Sequence, residues 1–155
     1  MNPALPGWAL QLKHAMPAAL TLLYDGGCPL CVREVTFLRR RDREQKLAFV
    51  DINAADYSSD DHGGITYREA MGRIHALKAD GSVVRDVAVF REAYRLIGLG
   101  WIYAPTQWPV VAPLADAAYA QWARWRLAMT GRPNLEELCA CRSTTTSEAA
   151  ANHQC

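Results

Sequence analysis

An α/β domain with a thiol pair at the tip of its first strand is the architecture this sequence predicts, on three observations. A fully apolar run from Leu20 to Tyr24 passes through Asp25-Gly26-Gly27 into Cys28-Pro29-Leu30-Cys31. A helix-like stretch then separates it from a second strand-like run, Leu47 to Ile52, which makes a βαβ unit. Further on, Ala79-Asp80-Gly81 sits between Arg73–Lys78 and Ser82–Arg85, and Asp-Gly between two strand-like segments signals a hairpin.

Each element follows from its residues. Leu20 to Tyr24 carries no polar alternation, which is the pattern of a central strand buried on both faces. The helix from about Cys28 to Arg41 starts with Cys28 at the N-cap, Pro29 at the first helical position where its missing N–H costs nothing, and Cys31 at the third. Cys28, Cys31, Val35 and Leu38 then share one narrow stripe. A polar loop from Asn53 to Gly64 leads to Thr66-Tyr67-Arg68-Glu69, a capping-box pattern that opens a short helix. After the hairpin, Asp86 is placed to cap a helix over Val87–Ile97 whose apolar residues recur at helical spacing. Asp116 to Met129 reads as one more helix, and the Ser/Thr/Ala-rich Ser143 to Cys155 as a disordered tail. The expected division is an N-terminal segment over 1–18, the domain with its helical C-terminal extension over 19–130, and a flexible tail over 131–155. The order strand, helix, strand, short helix, hairpin, helix is that of a minimal thioredoxin-like domain.

Two thiols three residues apart on the first turn of a helix are within reach of a disulfide, and the helix dipole favours an anionic sulfur there. The location agrees, since ligand sites in open α/β sheets lie beyond the carboxyl ends of the strands. A Cys-x-x-Cys pair alone is shared by redox centres, half zinc sites and chance; the strand-turn-helix context and Pro29 favour redox. Zinc would need two further ligands, with Cys139 and Cys141, or His153 and Cys155, as candidates. Cys139 and Cys141 could also act as a relay dithiol. Asp25 either takes up a thiol proton or caps turn N–H groups, and His75 reads as a structural residue.

The stretch Tyr24-Asp25-Gly26-Gly27-Cys28-Pro29-Leu30-Cys31 resembles the signature of the DCC family of predicted thiol-disulfide oxidoreductases, named for Asp-x-x-Cys-x-x-Cys. The resemblance continues through Gly64–Leu77, the Asp-Gly hairpin, Asp86-Val87-Ala88 and Tyr119–Arg126, covering roughly 20 to 141. It implies a thioredoxin-like fold with Asp25, Cys28 and Cys31 as signature positions. Thioredoxins carry a cis-proline just before the third strand. Here that region is Met71-Gly72-Arg73-Ile74, with no proline, so a broad range of protein substrates is not implied. Arg73, expected near the sulfurs, would favour a thiolate or an anionic substrate, and Pro29 and Leu30 complete the expected substrate-contacting set.

Composition bounds the rest. The chain has 155 residues, half of them hydrophobic, enough for a packed core without structural disulfides or metals. With 17 basic against 16 acidic residues there is no global field to recruit nucleic acid or an anionic membrane. The cluster from Arg33 to Lys46 reads as a solvated helix face. Five cysteines and no signal-peptide order at the N-terminus point to a reducing compartment, the cytoplasm. The uncharged stretch between Arg95 and Asp116 is broken by Pro105, Pro109 and Pro113, which argues against an integral membrane segment.

The functional expectation is an enzyme without cofactor or metal that exchanges a Cys28–Cys31 dithiol/disulfide with a thiol- or disulfide-containing protein or small molecule and an unidentified electron donor. In it Cys28, as the more exposed N-terminal sulfur, attacks, and Cys31 resolves the mixed disulfide. The alternative is a non-catalytic thioredoxin-like binding module. It would dock a protein or membrane surface through the aromatic C-terminal region, where Trp101, Tyr103, Trp108, Tyr119, Trp122 and Trp125 concentrate. Limited burial of those tryptophans would strengthen that alternative.

Overall fold

The computed structural model describes residues 18–152, with side chains as far as Ser143. Nearly all of the N-terminal segment, together with His153 and Cys155, lies outside the described residues. The sheet has four strands in the order β2-β1-β3-β4. Strand β1 (Leu20–Tyr24) pairs parallel with β2 (Leu47–Asp51), Leu20 facing Leu47 and Tyr24 facing Asp51. On its other side β1 runs antiparallel to β3 (His75–Lys78), which pairs antiparallel with β4 (Val83–Arg85). Among the described residues five α-helices complete a mixed α/β fold compatible with a thioredoxin-like one: α1 (Pro29–Arg41), α2 (Tyr67–Gly72), α3 (Val87–Leu96), α4 (Val111–Met129) and α5 (Leu135–Asn152).

The leucines of β1 are buried on both of its faces. On one face Leu20 and Leu22 pack with Leu38 of α1, Val89, Ala93 and Tyr94 of α3, and Leu47 and Ala76 of the neighbouring strands. On the other, Leu23 meets Ile52, Ile65, Ala70 and Met71 of α2, and Leu127 of α4. The burial of Val35 and Leu38 bears out the predicted α1 stripe. Thr66 and Glu69 form the expected capping box, each side chain bonding the other's backbone N–H.

Three features differ from expectation. Asp86 precedes α3 but makes no side-chain cap; its backbone sits at φ 56°, and its carboxylate goes to Arg73 instead, at 2.9 and 2.6 Å. A two-pronged ion pair holds a backbone conformation that L-residues enter at a cost. Helix α4 begins at Val111, five residues earlier than the first charged residue suggested. Beyond 131, where composition suggested a flexible tail, the chain forms α5. Leu135 and Leu138 of α5 pack against the second core cluster, Arg68 pairs with Glu136, and Arg142 donates to the carbonyls of Ile52 and Ala54 at 3.0 and 3.1 Å. Those tertiary contacts lie far away in sequence and leave no local periodicity to read.

Candidate active site

Cys28 is the N-cap of α1, and its sulfur accepts the Cys31 N–H at 3.5 Å, so the two thiols sit on one turn as the spacing predicts. Their exposure reverses the expectation. Cys28 is 1% exposed, while Cys31 is only partly buried and faces a cavity. The turn before them is closely packed. Arg132 reaches back from the residues after α4 to lie against Gly27, where a Cβ would overlap its guanidinium; a Cβ on Gly26 would likewise overlap the Asp51 carboxylate. The two glycines leave room for these side chains to close over the turn.

Asp25 is buried, and its Oδ1 collects the Gly27 N–H at 2.9 Å, the Asn53 side-chain amide at 2.6 Å and the Arg132 guanidinium at 3.2 Å. The turn-capping reading of Asp25 is therefore realised. Its second oxygen, Oδ2, is equally buried and has no partner, and Asp25 lines the same cavity as Cys31. A buried acceptor left unsatisfied is costly, which singles Oδ2 out among the groups lining the cavity.

The cation at the sulfurs is not Arg73, which is held away by Asp86 and does not line the cavity. It is Arg126 of α4. Buried to 5% exposure, it places Nη1 3.1 Å from Cys31 Sγ and bonds the Met71 carbonyl through Nη2, while its Nε has no partner. Among the described residues no carboxylate forms an ion pair with it. Burial above all, and then the hydrogen bond with Cys28, push the Cys31 thiol up to about 12, with the Arg126 charge opposing both. Without Arg126 the Cys31 thiolate would be less accessible still.

The cavity, about 300 Å³, opens at the carboxyl end of β1 between α1, α3 and α4. Its walls are chiefly apolar, with Leu22, Leu38, Val87, Phe90 and Trp122 among them, and Leu30 lies at its rim; Pro29 is not part of the wall. Glu34 also lines it and accepts the Tyr94 hydroxyl at 2.8 Å. Tyr119 faces the cavity from α4 and accepts the Ile74 N–H at 3.0 Å; burial raises its own hydroxyl to about 12.

Arg126, Arg132, Asp51, Asn53 and Tyr119 were not singled out as site residues from sequence. Only the Tyr119 to Arg126 stretch carried a signal, through the family resemblance; an arginine after a helix has none of its own. His75 is buried and bonds the Arg73 carbonyl at 2.9 Å, consistent with a structural role. Cys139 and Cys141 lie on α5, and among the described residues no group of three or more His, Cys, Asp or Glu side chains is placed to hold a metal ion. Of the tryptophans, Trp101, Trp108 and Trp125 are exposed at 73, 65 and 59%. Among the described residues no helix is long and apolar enough to cross a membrane.

A family model described as DCC1-like thiol-disulfide oxidoreductase matches residues 22–132, a span that runs from β1 to Arg132 and includes every residue of the site. An uncharacterized chloroplastic protein of Arabidopsis thaliana is 45% identical over 124 residues, 79% of this chain. The match covers 58% of that protein, so the chain spans less than two thirds of its relative's length. No solved structure matches the chain.

Proposed function

Because the chain belongs to the DCC1-like thiol-disulfide oxidoreductase family, we propose that Cys28 and Cys31 are a redox-active pair and that Cys31 is the sulfur that meets substrate. The observation that carries this reading is the contact of Cys31, on a cavity wall, with the buried and otherwise uncompensated Arg126. A thiolate is the nucleophile of disulfide exchange, and although burial holds the Cys31 thiol high, the guanidinium within hydrogen-bond distance offsets part of that cost. Asp25, through its unpartnered Oδ2, takes the proton that Cys31 gives up. Leu30 contacts substrate at the rim; Pro29 presets the helix start, and Arg73 supports the loop before β3 by way of Asp86.

In the forward step the Cys31 thiolate attacks one sulfur of a substrate disulfide, forming a mixed disulfide and expelling the other sulfur as a thiolate. Cys28 then loses its proton and attacks Cys31, closing the Cys28–Cys31 bond and expelling the second substrate thiolate. Two electrons pass to the substrate, and the two protons end on its thiols. An external dithiol donor restores the pair, and the reverse sequence oxidises a dithiol. The fold in this reading is a thioredoxin-like variant, and the cysteine usage supports a reducing compartment, the cytoplasm, as its setting. The test is trapping: Cys28→Ser holds a mixed disulfide on Cys31, while Cys31→Ser holds none. The opposite pattern would assign attack to Cys28, and a wild-type pair that forms no reversible disulfide would end the redox reading.

A second reading is favoured by one observation, the exposure of Trp101 and Trp108 in a stretch without formal charge. Exposed indoles flanked by apolar residues suit a lipid interface. On that reading the intrinsic tryptophan fluorescence shifts to the blue on adding vesicles, and Trp101→Ser with Trp108→Ser abolishes the shift.

A further inference from the structure

Among the described residues, most main-chain groups that an extended chain could pair with beside Arg126 are already bonded. In the loop that leads from α2 into β3, the Met71 carbonyl is taken by Arg126 and the Ile74 N–H by the Tyr119 hydroxyl. The Arg73 N–H bonds the Glu69 carbonyl, the Arg73 carbonyl is taken by His75, and the Ile74 carbonyl by the Asp86 N–H. Pairing of a substrate strand by main-chain hydrogen bonds needs such groups unoccupied. Two of the occupying side chains come from α4, which also forms one wall of the cavity through Tyr119, Trp122 and Arg126. What α4 leaves accessible at Cys31 is therefore the cavity and not the loop.

That cavity, at about 300 Å³, lies at the small end of the range of small-molecule pockets, and its walls are mostly hydrocarbon. Among the described residues, a buried donor on its wall without a partner is the Nε–H of Arg126, the side chain whose Nη1 reaches the reacting sulfur. We infer that the substrate is a compact, largely apolar disulfide, or in reverse the matching dithiol, with a hydrogen-bond acceptor near its sulfurs, and not an extended protein segment. This rests on the redox reading of the Cys28–Cys31 pair. The exchange is the one written above: the small disulfide loses its S–S bond, gains two electrons and leaves as two thiols, and Cys28–Cys31 becomes the disulfide.

The experiment uses the whole reduced protein against two disulfides, 4,4′-dithiodipyridine and oxidised insulin, with each rate divided by that of dithiothreitol on the same disulfide. The expected result is a normalised rate for the aryl disulfide roughly 100-fold above that for insulin, the scale of discrimination that pocket shape supplies. Phe90→Trp, which narrows the cavity away from the sulfurs, should lower the aryl rate about tenfold while leaving the Cys28–Cys31 potential against glutathione unchanged. Equal normalised rates in the wild-type protein would overturn the inference and leave the redox reading standing. A pair that forms no reversible disulfide would overturn both, and the glutathione titration identifies that outcome separately.

Discussion

The Arg126 guanidinium sits 3.1 Å from the sulfur of Cys31, and no carboxylate shares it among the described residues. A buried cation with no anionic partner is expensive unless something it touches becomes negative. The group able to do so at this contact is the sulfur itself. Arg126 thus couples the ionisation of Cys31 to the position of α4, and the first prediction follows from it.

Replacing Arg126 by Met removes the charge that opposes burial at Cys31. The thiol, already raised to about 12, moves further up. Its alkylation at neutral pH then slows about tenfold for each further pH unit by which its titration midpoint rises. Arg126→Lys should recover part of the loss, because the charge returns without the second hydrogen bond to Met71. The measurement is the pH profile of iodoacetamide labelling at Cys31, followed by mass spectrometry. A profile that stays in place in Arg126→Met would refute the coupling.

Asp25 and Arg132 make an ion pair in which the carboxylate is fully buried and the guanidinium is only partly so. Asp25→Ala strands Arg132 and also frees the Gly27 and Asn53 donors, and should cost about 3 kcal/mol, the lower end for breaking such a pair. Asp25→Asn keeps one acceptor oxygen and should cost less in stability than Asp25→Ala, yet it removes the proton acceptor, so exchange slows as well. Urea unfolding and disulfide-exchange rates measured on the same samples separate the two effects.

Burial lowers the pKa of His75 below its ordinary value, its bond to the Arg73 carbonyl opposing the shift; Arg85 lowers it too, while Glu69 and Asp86 raise it. A neutral buried imidazole binds fewer protons in the folded chain than in the unfolded one. Its contribution is therefore complete above about pH 6.5, and stability declines as pH falls through the range from there to the lowered folded value. His75→Gln should flatten that part of the curve, as read from melting temperatures between pH 7 and 5.

Leu38 is fully buried between α1 and the sheet, in the cluster that holds α1 against β1. Leu38→Ala should destabilise by about 2–5 kcal/mol, the range for emptying such a site. Because α1 carries both cysteines, the same variant should broaden the redox transition of the pair if the helix start loosens. Denaturant midpoints give the first quantity and glutathione titration the second.

How much of this could be read in advance differs along the chain. The first strand, the helix with its cysteines, the capping box at Thr66 and Glu69, and the Asp80-Gly81 hairpin are local patterns, and local patterns are what a sequence displays. The parallel pairing of β1 and β2 also followed, since a helix between two strands permits little else. Asp86 misled because its residue type suits an N-cap while a longer-range partner, Arg73, claimed its side chain. The accessibility of the sulfurs misled for a similar reason: the turn before Cys28 is closed over by Arg132, which lies against Gly27 and which no spacing near the motif announces. α5 went unseen because its composition is bland and its hold on the fold comes from Leu135, Leu138, Arg142 and the Arg68–Glu136 pair.

The site is assembled from opposite ends of the chain. Cys31 and Arg126 are 95 residues apart, and Asp25 and Arg132 are 107 apart. During synthesis the thiols leave the ribosome well before either arginine exists, an interval on the order of 5–20 s at ordinary elongation rates of roughly 5–20 residues per second. Throughout that interval the turn lacks Arg132 against Gly27 and Asp25, and Cys31 lacks Arg126. A nascent chain stalled before residue 126 should consequently take up a foreign thiol adduct at Cys28 that the finished protein, with Cys28 1% exposed, resists.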